Sequence, residues 1–215
     1  DCDGAVTVAD GGSINADNGN LDFADVSTFT NDGTLIGGST VGLEGTITNG
    51  TLDLTGSAVT LLGDLFIDVT TIQTDGSTDI STDAYILDWN GEGGPLAGAE
   101  IWVNTGGTFR LSGDASMDAD TKIYLDGGLF DIDANTTVNG QIFHQDDSTV
   151  DISSDVVLDY NHNSGLSIND LTLKVVTNGP SSEFQNSYPV YLNHGESSLE
   201  IGDGDIESGG IINMV

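Results

Sequence analysis

The chain is short of positive charge before anything else. Arg110, Lys122 and Lys174 are its only Lys and Arg residues, against 35 Asp and Glu in 215 residues, for a formal net charge of −32 at pH 7. Neutralising nucleic-acid phosphates takes clusters of Lys and Arg. The shortage therefore excludes DNA and RNA as partners, and an anionic membrane surface with them. Long apolar runs are missing too: none approaches the roughly 20 residues that cross a bilayer as a helix, so membrane insertion is not expected. Cysteine occurs once, at Cys2, which excludes a disulfide within the chain and leaves only a link to another chain or segment. His144, His162 and His194 are too dispersed to read as one ligand set, and no Ser-His-Asp set is identifiable. Helical periodicity is absent, and only seven of the 35 acidic residues are Glu. The Asp excess fits this, because Asp favours turns over helices.

What is present is strand-like. Short alternating runs such as TLDL, LFIDV, TFRL, KIYL, LFDI, TVDI and PVYL are punctuated by Asp32-Gly33, Asn49-Gly50, Asp75-Gly76, Asp126-Gly127, Asn139-Gly140 and Asn178-Gly179. This is an all-β pattern with regular turns. A column of apolar residues can be laid through Leu21, Leu43, Leu65, Leu87, Phe109, Phe130, Val150, Leu171 and Leu192, at spacings of 20 to 22. Two residues on lie Phe23, Gly45, Ile67, Trp89, Leu111, Ile132, Ile152, Leu173 and His194, mostly apolar, as two positions facing one interior require. Met117, Val138 and Val157 mark a second strand per period, and Leu35, Ile101, Ile123 and Ile142 a third. A β-sandwich would also show many short strands, but recurrence near 22 residues favours a solenoid. The expected fold is all-β, a parallel β-helix (β-solenoid) of about 20–22 residues per coil. Ten coils stacked at about 4.8 Å would make a rod of roughly 45 Å.

The units GGTFRLSGDASMDADTKIYLD and GGLFDIDANTTVNGQIFHQD resemble coils of the right-handed parallel β-helices of bacterial surface proteins. Autotransporter passengers and filamentous adhesins are the nearest class. The resemblance covers about residues 15–175 and is one of repeat style. It implies a right-handed coil, a location outside the cell or on its surface, and an adhesive or structural role. Residues 1–175 are read as the solenoid, and residues 176–215 as irregular final coils forming a cap or contact region of the same domain.

Candidate sites are few. GDGDIE sets Asp203, Asp205 and Glu207 at alternate positions, as the early ligands of a calcium loop are set, without the Gly and distal Glu of an EF-hand. Ca²⁺ is the only cofactor expected. Asp118 with Asp120, and Asp131 with Asp133, repeat the spacing, yet Asp in turns needs no metal to explain it. Asn49 and Asn135 head N-x-[ST] sequons and would carry glycan in a secreted chain. The residues between the two inward columns, Asp22, Glu44, Phe66, Asp88, Arg110, Asp131, Asp151, Thr172 and Asn193, should stack outward. There Arg110 would screen both Asp88 and Asp131. Trp89 and Trp102 are candidate platforms for sugar, Trp89 with the stronger claim to be core. NGEGGP at 90–95 is the longest insertion between coils, and insertions on one face of a solenoid are where binding often sits.

The function expected is non-enzymatic: an extracellular structural or adhesive solenoid, with its ends free to pair with copies of itself or neighbouring domains as a filament or surface layer. Glycans are further candidate partners. The alternatives are a stalk segment of a longer adhesin, or a polysaccharide lyase or hydrolase built on paired carboxylates.

Overall fold

A chain of short β-branched runs separated by Gly and Asn turns cannot satisfy its backbone within one run, so each run must pair with another. It does so with its counterpart about one coil away. The structure is a computed structural model and describes residues 5–9, 11–15, 20–22, 28–31, 33–36, 39–91, 94, 96–145, 148–153, 156–162, 166–168, 171–175, 183–186, 190–192, 198–201, 205–208 and 212–214. Among these, the regular structure is strand without helix, and the strand pairs are parallel. The chain winds as a β-solenoid through three faces in a repeating order.

The first face stacks Val41, Val59, Ile80, Ile101, Ile123 and Ile142 in register. On the second face the stacked pairs run Leu65, Leu87, Phe109, Phe130, Val150 and Ile47, Ile67, Trp89, Leu111, Ile132, Ile152. The third face carries Leu35, Leu52 and Ile72, and later Met117, Val138 and Tyr160. All these side chains are buried and form one core. Within it Phe109 and Phe130 stack with centroids 5.3 Å apart. Burial pushes the Tyr160 phenol up to about 12, against an opposing hydrogen bond from the Ile142 amide. The parallel ladder continues through Leu171–Val175, Glu183–Asn186, Val190–Leu192, Ser198–Ile201, Asp205–Ser208 and Ile212–Met214.

The expected register holds from Leu65 to Val150 and slips on either side. Leu21 and Leu43 are not on the second face. Leu21 pairs with Val41, and Leu43 with Leu61, both at first-face positions, while Gly45 is the partner of Leu65. The cause is local: Thr40–Thr48 and Ala58–Asp68 run as long strands across both faces, and the register shifts by a bulge between Leu43 and Gly45. The coil there is short, 18 residues from Val41 to Val59. Later coils are longer, so Val150 pairs with Leu173 rather than Leu171, and Leu173 with Leu199 rather than Leu192. Leu35 belongs to the third face, and Tyr160 rather than Val157 follows Val138.

Corners require small residues. Between the first and second faces, the amides of Thr108, Leu129 and Thr149 donate to the carbonyls of Tyr85, Gly107 and Gly128, which stack one above another. A Cβ on Gly128 would lie 2.4 Å from the carbonyl oxygen of Val103. Gly128→Ala is therefore expected to lower unfolding stability by about 1–3 kcal/mol. Gly76→Ala, where a Cβ meets nothing within 4 Å, should stay near neutral. Urea denaturation of the two variants checks the contrast.

Candidate functional site

In a parallel ladder each outward side chain stands about 4.8 Å from its counterparts on the adjacent coils. On the second face this column reads Thr46, Phe66, Asp88, Arg110, Asp131, Asp151, and the backbone register continues through Lys174 and Glu200. Arg110 sits between Asp88 and Asp131, as its place in the sequence column requires. Asp22, Glu44 and Thr172 do not belong to the column: Asp22 pairs with Gly42 on the first face, Glu44 falls at the register shift, and Thr172 pairs with Thr149. Lys174 takes the place given to Thr172. Asn193 lies outside the described residues.

Arg110 turns toward its C-terminal neighbours. Its Nε donates to Asp131 Oδ2 at 2.9 Å and lies 3.4 Å from Asp133 Oδ2. The hydrogen bond to Asp131 holds the guanidinium above its ordinary value. Burial raises the Asp131 carboxyl, Asp133 and Asp151 add to the rise, and Arg110 opposes it. Asp131 and Asp133, spaced like metal ligands, are thus partners of an arginine. Asp88 keeps a buried Oδ1 without a hydrogen bond. On the first face Lys122 Nζ reaches Glu100 Oε1 at 2.5 Å, the carboxylate beside it in register, and that hydrogen bond raises the lysine. Lys174 stands in register between Asp151 and Glu200. The chain's three cations therefore all occupy rungs next to a carboxylate rung.

The outward column of the first face is different. It runs Gly42, Thr60, Ser81, Trp102, Tyr124, Phe143. Trp102 and Tyr124 stack with centroids 4.0 Å apart, and Tyr124 and Phe143 at 4.8 Å, each pair within 9° of parallel. The ring planes follow the ladder, so each ring covers its neighbour's face and the edges turn to solvent. A cavity of about 390 Å³ runs along those edges, lined by Trp102, Tyr124, Leu125, Asp126, Phe143 and His144. Trp102 is 37% exposed, whereas Trp89 is 1% exposed and belongs to the core. Of the two candidate platforms only Trp102 faces outward. Tyr124 and Phe143 were missed in the sequence, although the pairs Ile101-Trp102, Ile123-Tyr124 and Ile142-Phe143 carry the signal: an inward isoleucine followed each time by an aromatic.

A second, shallower groove of about 550 Å³ lies on the third face, with Asp114, Ser116, Asn135, Thr137 and Asp159 among its lining. Gly91 and Gly94, from the predicted insertion, border it. Here the third-face ladder is broken. Among the described residues between Ile86–Trp89 and Glu100–Asn104, only Leu96 bridges, to Met117.

The remaining candidates separate. Asp205 and Glu207 lie in Asp205–Ser208, paired with Glu183 and Gln185, while Asp203 lies outside the described residues. Asn49 sits in a turn with φ of 62°, a conformation Asn tolerates. Asn135 is exposed, and its side-chain oxygen accepts from the Val157 amide. Asp118 and Asp120 are exposed turn residues. Among the described residues no group of three His, Cys, Asp or Glu side chains is placed to hold a metal ion.

The acid column gives a signed prediction. Asp131's folded value is raised, so its contribution is most favourable below the ordinary carboxylate range and is lost as pH rises through the folded value. Arg110→Gln removes the opposing pull and enlarges that loss. The variant should be less stable than the parent by about 1–2 kcal/mol at pH 7, a few degrees in Tm. The gap should close as pH falls through the carboxylate range, as read by melting curves at pH 7 and 4. A gap independent of pH would show that Arg110 acts by packing alone. No protein-family model, curated protein or solved structure matches this chain.

Proposed function

We propose that this chain is a non-enzymatic structural or adhesive solenoid of the cell exterior, which holds partners along its outer faces. The observation that carries the reading is the outward stack Trp102–Tyr124–Phe143. Stacking covers most of each ring but leaves an apolar strip along the first face of a chain whose formal charge is −32. Such strips mark contact surfaces. The repeat architecture supports the structural half of the reading, because each coil packs mainly on its neighbours and a long rigid surface grows by repetition. Head-to-tail pairing into a filament or surface layer extends the same parallel ladder from coil to coil and belongs to this proposal.

Purified protein should bind to cell or matrix surfaces in a retention assay, and Trp102→Ala should reduce that binding several-fold while lowering the melting temperature by only a few degrees, the loss of one stacked pair. Electron microscopy of the same sample separates the two structural forms, regular fibres for a self-assembling subunit and short separate rods for a stalk. Retention unaffected by the substitution would remove the aromatic strip from the account.

A second reading rests on the third-face groove, where Asp114 and Asp159 are two carboxylates available for acid and base roles on a polysaccharide. Turnover of acidic or neutral glycans that is lost in Asp114→Asn and Asp159→Asn would establish it over the adhesive one. Calcium at Asp203, Asp205 and Glu207 is proposed as a structural ion. Adding it to chelated protein should then raise the Tm in proportion to occupancy, and the double variant Asp205→Asn, Glu207→Gln should abolish the rise. Coincident curves with and without chelator would exclude it.

A further inference from the structure

The aromatic stack ends abruptly at Trp102. One of its ring faces is covered by Tyr124 at 4.0 Å. The next rung on the other side is Ser81, followed by Thr60. Neither is large enough to cover an indole, so the second face of Trp102 opens onto a ledge one strand spacing deep, about 4.8 Å. That depth suits one flat group. Exposure agrees, since Trp102 is exposed and Tyr124, covered on both faces, is only half-exposed.

The rim of the ledge decides what kind of flat group fits. Asp79 lies two residues before Ser81 on the same outward side and is exposed, and Asp83 lies two residues after it and is exposed. The nearby donors each engage an acceptor: Asn104 Nδ2 donates one N–H to Asp83, Lys122 Nζ one to Glu100, and Ser81 Oγ donates to the Val59 carbonyl at 3.5 Å. The ledge is a π face whose rim is mainly carboxylate, from Asp79 and Asp83. A sugar brings hydroxyls that need donors as well as acceptors. A guanidinium brings five N–H donors, no acceptor, a planar shape that stacks on aromatic faces, and the charge that a chain of −32 attracts.

We propose that the ledge over Ser81, against the open face of Trp102, takes the guanidinium of an arginine on a basic partner protein, with Asp79 and Asp83 as its carboxylate partners. This names the partner for the adhesive reading above and rests on it.

The full chain is titrated into a fluorophore-labelled blocked octapeptide carrying four arginines, and into the same peptide carrying lysines, following the anisotropy of the label. The arginine peptide should bind about 3–10-fold more tightly than the lysine peptide at equal charge. Trp102→Ala should abolish that preference. Ser81→Phe extends the stack by one ring and fills the ledge, so it should also abolish the preference while the protein keeps or raises its Tm, which separates occlusion from misfolding. Equal binding of the two peptides overturns the proposal, as does an arginine preference that survives Ser81→Phe. Displacement of the arginine peptide by an uncharged hexose oligosaccharide, with the same dependence on Trp102, overturns it in favour of a sugar. Surface retention of the parent protein is measured alongside. Retention without arginine preference overturns the ledge and leaves the adhesive reading standing. Arginine preference without retention on any surface supports the ledge and removes the adhesive reading.

Discussion

Everything in this molecule depends on one constraint, the in-register parallel ladder. Each coil donates its backbone hydrogen bonds to the next at a separation of about 4.8 Å, so a side chain's main neighbours are the residues at its own position one coil away. Inside, that rule makes apolar columns, and the core is their sum: Ile over Ile on the first face, Phe over Phe on the second. At one corner it leaves no room for a side chain on Gly107 or Gly128, where a Cβ would meet a carbonyl oxygen. Outside, it forces like residues together whether or not they attract. Carboxylates repel at that distance, while aromatic rings gain from it. The two outer columns described above are those two outcomes of a single geometry.

The electrostatics follow. With 35 acids and three bases, random placement would leave most carboxylates against one another and the cations scattered. Instead Arg110, Lys122 and Lys174 each occupy a rung beside an acid rung in register. Arg110, between Asp88 and Asp131, relieves repulsion between stacked acids, and Lys122 pairs with the single acid beside it, Glu100. Asp131 shows how close the balance is: burial raises its carboxyl even with an arginine in hydrogen-bond contact. The turn acids solve the problem differently. Asp75 accepts from the amides of Ser77 and Gly56, and those bonds, the Ser77 bond foremost, hold its carboxyl low. Asp53 accepts from the Thr55 amide in the same way, a two-residue reach for which Asp is suited.

How much of this was legible in the sequence depended on how regular the corners were. From Leu65 to Val150 each coil has 20 to 22 residues, and there the inward columns and the place of Arg110 could be laid down by counting. Counting failed where a corner gained or lost residues. Gly45, with φ of 81°, is the only mark of the bulge after Leu43, and no propensity says that Thr40–Thr48 turns a corner without leaving the strand. A fixed period then carries Leu21 and Leu43 onto the wrong face. The site was legible only in part for a related reason. Trp102 stood out by type, but Tyr124 and Phe143 join it only once the first-face register is fixed. A stack of three different aromatics has no motif.

The position of the aromatic stack along the coil is itself informative. Between Trp89 and Glu100 the chain leaves the second face and returns to the first with, among the described residues, a single bridge on the third, and the third-face sheet that ends at Thr71–Gln73 resumes as a separate sheet at Ala115–Met117. The outward first-face column changes at that same passage, from Gly42, Thr60 and Ser81 to Trp102, Tyr124 and Phe143. The core does not change there, since Ile80 still pairs with Ile101 and Leu87 with Phe109. A solenoid can alter its surface abruptly in this way because each coil answers only to its neighbours. The break in the third face and the step in the first are therefore two marks of one junction. At that junction the face of Trp102 turned to Ser81 meets no ring, and a flat partner there would continue the stack.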